Sequence, residues 1–226
     1  MFRNLFPSLV LLALAVGGSY LFVQSRSNEP QLLADLESLV RVTDVQASLA
    51  DGPEVVEMAL GDPDAPVTII EYASFTCPHC ARFHEDVFGR LKSEYIDTGK
   101  VRFITRDVYF DRFGLWAAML ARCDGDRFFD ISDAIYRQQR EWTRGDSNRE
   151  VVENLMGLGR AGGLDDAQMN ACLQDNAKAR ALVAAYQQNA ERDGIDSTPS
   201  FIINGRKYPN MSLAGFRTTI DALLAQ

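Results

Sequence analysis

Hydrophobic and polar positions follow several distinct rhythms along this chain, and each rhythm marks a different kind of element. From Leu5 to Val23 there is no charged residue, and Arg3 alone is basic ahead of the run. At helical rise such a run reaches about 28 Å, close to the roughly 30 Å hydrocarbon layer of a bilayer. A cleaved signal peptide has a shorter apolar stretch ending in a small-x-small site. Ala-Leu-Ala at 13–15 offers such a site, but the run continues to Phe22 and Val23. Residues 1–23 therefore read as a signal anchor, with a cleaved signal peptide as the alternative. Arg3 favours the inner side, so in either case the remainder is exported to an oxidising compartment.

Residues 24–51 read as a polar linker followed by a short amphipathic helix, with Leu32, Leu36, Leu39 and Val40 at helical spacing. That helix either pairs with a copy of itself or packs on its own domain. From residue 52 the rhythm changes. Glu54–Leu60 reads as a short strand closed by the turn at 61–66, and the β-branched run Val67–Ser74 as a buried strand. A helix is predicted from Pro78 to about Ile96, then a strand over Val101–Tyr109. Strand, helix and strand make a right-handed parallel unit. From about 111 to 192 the period is helical throughout, over 114–123, 128–142, 147–159, 164–174 and 177–191, with Gly- and Asp-containing breaks. A hairpin turning on Asn204-Gly205 and a helix over 212–225 close the chain.

Composition narrows the field. With 226 residues, 46% apolar and 24% charged, the chain suits one globular domain carrying a large insertion. A net charge of −8 excludes a nucleic-acid partner, which requires basic surface.

The chemistry concentrates in Phe75-Thr76-Cys77-Pro78-His79-Cys80. Zinc needs four ligands, and the remaining cysteines, Cys123 and Cys172, are far away and unpaired at short spacing. The only histidines, His79 and His84, both lie beside the CxxC, so a metal site is a poor fit. A purely structural disulfide within CxxC constrains little chain. Redox chemistry fits better. Cys77 lies where a strand gives way to a helix, and Pro78 suits the first helical turn. Free N–H groups and the helix dipole stabilise a thiolate there, which leaves readily in exchange. Cys80, one turn in, is the buried resolving partner, and His79 adds a donor beside the sulfur. Thr198-Pro199 precedes the hairpin, where a cis peptide would offer main-chain groups to an extended substrate.

Taken together, strand, CPHC, helical insertion, Thr-Pro, hairpin and terminal helix resemble the DsbA family of periplasmic thiol–disulfide oxidoreductases over roughly residues 52–226. The resemblance implies an α/β thioredoxin fold with an inserted helical domain, preceded here by the N-terminal hydrophobic segment. It implies Cys77 as nucleophile, Cys80 as resolving cysteine, Pro78 and His79 as tuning residues, and Thr198 with Pro199 at the substrate groove. It also implies Glu71 as a buried acid relaying the Cys80 proton, with Arg106 as a loose candidate for its charge partner. No metal or organic cofactor is implied. The implied partners are reduced or unfolded exported proteins and a DsbB-like membrane protein that reoxidises the pair. The implied location is the periplasm, tethered through residues 5–23 or released. Thr198 stands where the best-known oxidases carry valine, which leaves an isomerase or reductase open beside an oxidase. A non-redox peptide-binding chaperone is a third reading. The even cysteine count in an oxidising compartment, together with the resemblance, favours a Cys123–Cys172 disulfide. His84 reads as a partly exposed helical residue rather than a base. Phe110, Phe113, Trp116, Phe128 and Phe129 read mostly as core.

Overall fold

The computed structural model describes residues 53–226. The expected anchor at 1–23, the linker and the Leu32–Val40 helix lie outside the described residues. Among the described residues no helix is long and apolar enough to cross a membrane.

Five strands form one sheet: β1 (Met58–Leu60), β2 (Val67–Ala73), β3 (Val101–Asp107), β4 (Ser200–Ile203) and β5 (Arg206–Pro209), in the order β1-β3-β2-β4-β5. Strands β2 and β3 are parallel, and the other pairings are antiparallel. The expected thioredoxin fold with its helical insertion is the one observed. Strand β2 is central and covered on both faces, which is why its sequence is almost continuously apolar. Its C-terminal end delivers the chain into the CxxC turn.

A helical run over 78–96, α1, returns from β2 to β3. It begins as α-helix at Pro78–Phe83, widens to π-type turns at His84–Phe88 and Lys92–Ile96, and has an α-helical link at Gly89–Leu91. The insertion comprises α2 (Arg112–Ala121), α3 (Phe128–Arg137), α4 (Gln139–Trp142), α5 (Asn148–Ala161), α6 (Asp166–Leu173) and α7 (Asn176–Arg192); α8 (Leu213–Leu224) closes the domain. Asp111, Ser147, Asp165, Asp175 and Ser212 each cap a helix by accepting a main-chain N–H from its first turn. Such caps contribute about 1 kcal/mol each.

Two elements depart from the sequence reading. The first strand is three residues long rather than seven, and the residues before it are held by side chains instead of a ladder. Arg122 Nη1 donates to the Val56 carbonyl at 2.9 Å, and Arg106 Nε holds the Glu57 carboxylate at 2.7 Å. The helix expected over 128–142 breaks at Gln138. The Trp142 indole N–H donates to the Ile135 carbonyl at 2.9 Å, occupying an acceptor that a continuous helix would use.

Apolar side chains gather on both sides of α1. Phe83, Phe88 and Leu91 pack with Val67, Ile69, Phe103, Phe201, Phe216 and Ile220 against the sheet and α8. Cys77 and Cys80 belong to a second cluster with Phe75, Leu120, Phe128, Ile131, Ile135, Tyr136 and Trp142 of the insertion. The redox pair thus sits at the seam between sheet domain and insertion. Away from that seam, a Cys123–Cys172 disulfide joins the end of α2 to α6, with Cα atoms 5.7 Å apart across 49 residues. Closing a loop of that length stabilises the fold by at most about 4 kcal/mol. Serine at both positions should lower unfolding stability by about 2–4 kcal/mol in urea titration, with the exchange chemistry at Cys77 retained.

Candidate active site

The turn from β2 into α1 is shaped by its own hydrogen bonds. The Cys77 N–H donates to the Ser74 carbonyl at 3.1 Å, and the Cys77 carbonyl accepts from Cys80 and Ala81 N–H at 3.1 and 3.2 Å. Cys77 is the extended N-cap residue of α1, with φ −82° and ψ 118°, and Pro78 occupies the first turn where no N–H is needed. Cys80 follows on the buried face and is completely enclosed, whereas Cys77 retains 8% exposure. Both are free thiols.

Their environments pull the two sulfurs apart. A hydrogen bond from the Cys80 thiol, helped by the main-chain N–H groups of Cys80 and His79, outweighs burial at Cys77. Its thiol falls from an ordinary value near 9.0 to about 5. Burial acts on Cys80 in the opposite sense, and the hydrogen bond it donates to Cys77 and the nearby Glu71 charge push its thiol further up. Near neutral pH the outer sulfur is a thiolate and the inner one stays protonated.

Thr198 and Pro199 join through a cis peptide bond and meet the CxxC from the loop before β4. The Cys77 Sγ–H lies 3.5 Å from the Thr198 carbonyl. The Thr198 hydroxyl is buried and has no hydrogen-bond partner among the described residues. It is free to donate to a thiolate or a bound sulfur. His79 is exposed; its ring Nδ1 faces Arg82 Nη2 at 2.7 Å, so its main-chain N–H rather than its ring serves Cys77.

Beneath the pair, two sequence expectations are corrected. Glu71 is fully buried, but its partner is not Arg106. In the parallel ladder Arg106 is the register partner of Tyr72, and Glu71 that of Thr105. Residues in register share a face, so Arg106 emerges on the opposite side of the sheet. There it binds Glu57, Tyr72 and Asp193. The partner of Glu71 is His84, whose Nε2 lies 3.2 Å from Oε1 and 3.1 Å from Oε2. His84 is correspondingly not a partly exposed helical residue: its side chain is only 7% exposed. Its ring stacks on Tyr136 at 4.0 Å and 13°, with Phe88 at 4.8 Å. Among the expected core aromatics, Phe128 is buried, Phe113, Trp116 and Phe129 are partly buried, and Phe110 is 61% exposed.

The insertion grips the turn through two residues that sequence reasoning passed over. Gln139 is buried, and its Nε2 donates to the carbonyls of Phe75 at 2.7 Å and Cys77 at 3.0 Å. The Asp111 carboxylate caps α2 through the Gly114 N–H at 2.9 Å and accepts from the Thr76 hydroxyl at 2.8 Å. Asp111 was findable as a helix cap; a glutamine in a helical stretch carries no such signal. Among the described residues, no three His, Cys, Asp or Glu side chains converge as a metal would require.

Comparison with known proteins agrees with this geometry. The thioredoxin family model matches residues 54–222. A Rickettsia bellii protein whose name assigns it as a protein-disulfide oxidoreductase is 34% identical over 172 residues, 75% of this chain. The chain spans 65% of that relative's length. The crystal structure of Wolbachia pipientis alpha-DsbA1 superposes with a TM-score of 0.70 at 31% identity, covering 79% of this chain and 96% of that one. A Novosphingobium aromaticivorans structure named as a protein-disulfide isomerase gives 0.68 at 26% identity, covering 75% and 98%. Removing the Gln139 amide should cost about 1–3 kcal/mol, because it strips a donor from buried carbonyls. Denaturant titration of reduced Gln139→Ala measures this, and Gln139→Glu, which sets a carboxylate against them, should cost more.

Proposed function

The chain belongs to the thioredoxin family, among its DsbA-type members, and we propose that it is a thiol–disulfide oxidoreductase that introduces disulfides into exported proteins. The observation that carries this reading is the split between the two sulfurs. A Cys77 thiol ionising at about 5 makes the reduced form favourable near neutral pH, by at most about 3 kcal/mol at pH 7. In a two-electron couple that is roughly 60 mV towards a more oxidising disulfide.

The reaction follows from the geometry. A substrate thiolate attacks Cys77 Sγ of the oxidised pair. The Cys77–Cys80 bond breaks as the substrate–Cys77 bond forms, and Cys80 leaves as a thiolate that takes up a proton. The second substrate thiolate then attacks the substrate sulfur of the mixed disulfide. Cys77 departs as the thiolate its surroundings favour, the substrate holds a disulfide, and both enzyme cysteines are reduced. The cis Thr198-Pro199 loop beside Cys77 suits an extended peptide, with the Thr198 hydroxyl facing the exchanging sulfurs. Pro78 and His79 set the turn that presents the main-chain donors. Turnover needs a membrane partner that reoxidises Cys77 and Cys80, and a location outside the cytoplasm, reached by way of residues 1–23.

A second reading has one observation in its favour: the Novosphingobium relative is named as an isomerase. An isomerase or reductase would use the same Cys77 attack but be held reduced by a thiol donor. Two measurements separate the possibilities. Alkylation of reduced Cys77 should rise with pH through a midpoint near 5 and level off by about pH 7; an ordinary thiol would keep gaining through about pH 8.5. Acid-trapped alkylation in growing cells, with Cys123 and Cys172 replaced, should find Cys77 and Cys80 mostly oxidised. A mostly reduced pair would give the place to the isomerase or reductase, and activity surviving Cys77→Ala would remove both.

A further inference from the structure

We propose that His84 is a positioning residue for the inner half of the exchange: it holds Glu71 as a hydrogen-bonded carboxylate, and the Cys80 proton passes by way of that carboxylate in both directions. This rests on the exchange reading above.

A fully buried carboxylate needs donors, because an unpaired charge in an apolar setting is costly and its proton affinity rises. Glu71 sits on the central strand between Thr105 and Phe201 of its neighbours. Among the described residues the donor it finds is one ring nitrogen, His84 Nε2, at 3.2 Å from Oε1 and 3.1 Å from Oε2. An ionised carboxylate can only accept, so that nitrogen carries the hydrogen. His84 is one helical turn beyond Cys80, which places both side chains on the same face of α1. The ring cannot swing away, being stacked on Tyr136 and flanked by Phe83 and Phe88.

The ionisable groups around the pair come from every side. Cys77 and Cys80 face it from α1, and Tyr136 from α3. Asp107 stands at the end of β3, tied to Arg122 at 2.8 Å. The Tyr136 hydroxyl is buried without a hydrogen-bond partner among the described residues, and burial pushes its ionisation well up. Glu71 is the acid–base group whose charge bears on the inner sulfur.

The proton balance is simple. When substrate attacks Cys77, the Cys77–Cys80 bond breaks and Cys80 leaves as a buried thiolate; it takes up a proton that the Glu71 carboxylate accepts from solvent and passes on, so Glu71 ends as the carboxylate it began as. In the reverse step, the Cys80 thiol returns a proton to the Glu71 carboxylate and attacks Cys77 Sγ. The Cys77–Cys80 bond forms, the Cys77–substrate bond breaks, and the substrate leaves as a thiolate. His84 supplies the donor that a buried carboxylate needs to stay charged; with the donor removed, burial disfavours the charged form of such an acid.

The reverse step can be watched directly. Full-length protein carrying a thionitrobenzoate mixed disulfide on Cys77 releases the coloured thiolate when Cys80 attacks. Stopped-flow release is recorded from about pH 5 to 9 for wild type, His84→Phe, His84→Gln and Glu71→Gln. His84→Phe keeps a ring on Tyr136 but removes the donor. It should slow release on the order of tenfold at pH 6 and approach wild type by about pH 9. His84→Gln, which retains an N–H, should stay within about threefold of wild type. Adding His84→Phe to Glu71→Gln should slow release no further than Glu71→Gln alone. A His84→Phe profile that overlays wild type, or lies below it by one factor at all pH values, would overturn the proposal. Should His84→Phe not fold, the wild-type His84 ring resonances decide: they must shift when Cys77–Cys80 is reduced, and indifference to reduction would sink the idea. Wild type that never releases the chromophore would defeat the exchange reading itself, whatever His84 does.

Discussion

Two sulfur atoms one helical turn apart must be kept in opposite states, one charged and one neutral, and most of the architecture serves that requirement. The charge on Cys77 is held by donors that exist only because a strand ends and a helix begins at that residue. The neutrality of Cys80 is held by depth. The same turn must therefore reach the surface at its first sulfur and the core at its second, and a helix N-terminus entering between sheet and insertion does both. One of the main-chain groups that stabilise the thiolate, the Cys80 N–H, also makes the first bond of α1, to the Cys77 carbonyl at 3.1 Å.

The insertion is more than a lid on this arrangement. Gln139 and Asp111 reach the turn from two different helices and hold the chain on either side of Thr76. Trp142, by breaking the helix before Gln139, directs that amide towards the turn. The disulfide at Cys123–Cys172 then binds α2, which Asp111 caps, to α6 further along. The insertion is thus joined to the turn by short polar contacts, buried at Gln139 and exposed at Asp111.

Much of this was legible in the chain before its fold was known, and what was legible shared a property. Cys77, Pro78, His79 and Cys80 are neighbours in sequence, and their roles follow from a local strand-to-helix change. Thr198-Pro199 could be placed only by resemblance, because nothing local ties it to a cysteine more than a hundred residues away. His84 and Gln139 were misjudged or passed over for one reason. Helical periodicity tells which face a residue occupies, not which strand or loop that face will meet. Arg106 shows the complementary failure. Spacing put it on the strand beside Glu71, but only the register decides which of two faces a side chain takes, and a shift of one residue reverses it. Residue choice also hid the shortening of β1, since the guanidinium groups that hold the residues before it lie 49 and 66 residues from their acceptors.

At the end of the sheet order, β5 forms an edge among the described residues, and its composition has a consequence for how the molecule behaves in company. Arg206 and Lys207 are exposed on it, and Pro209 ends it without an N–H to offer. A strand from another chain docking there would have to desolvate two cations and forgo one rung of the ladder. On the reading proposed above, such a protein would meet loose strands in search of an edge, with its sulfur at one end of the sheet and a charged, proline-ended strand along the side.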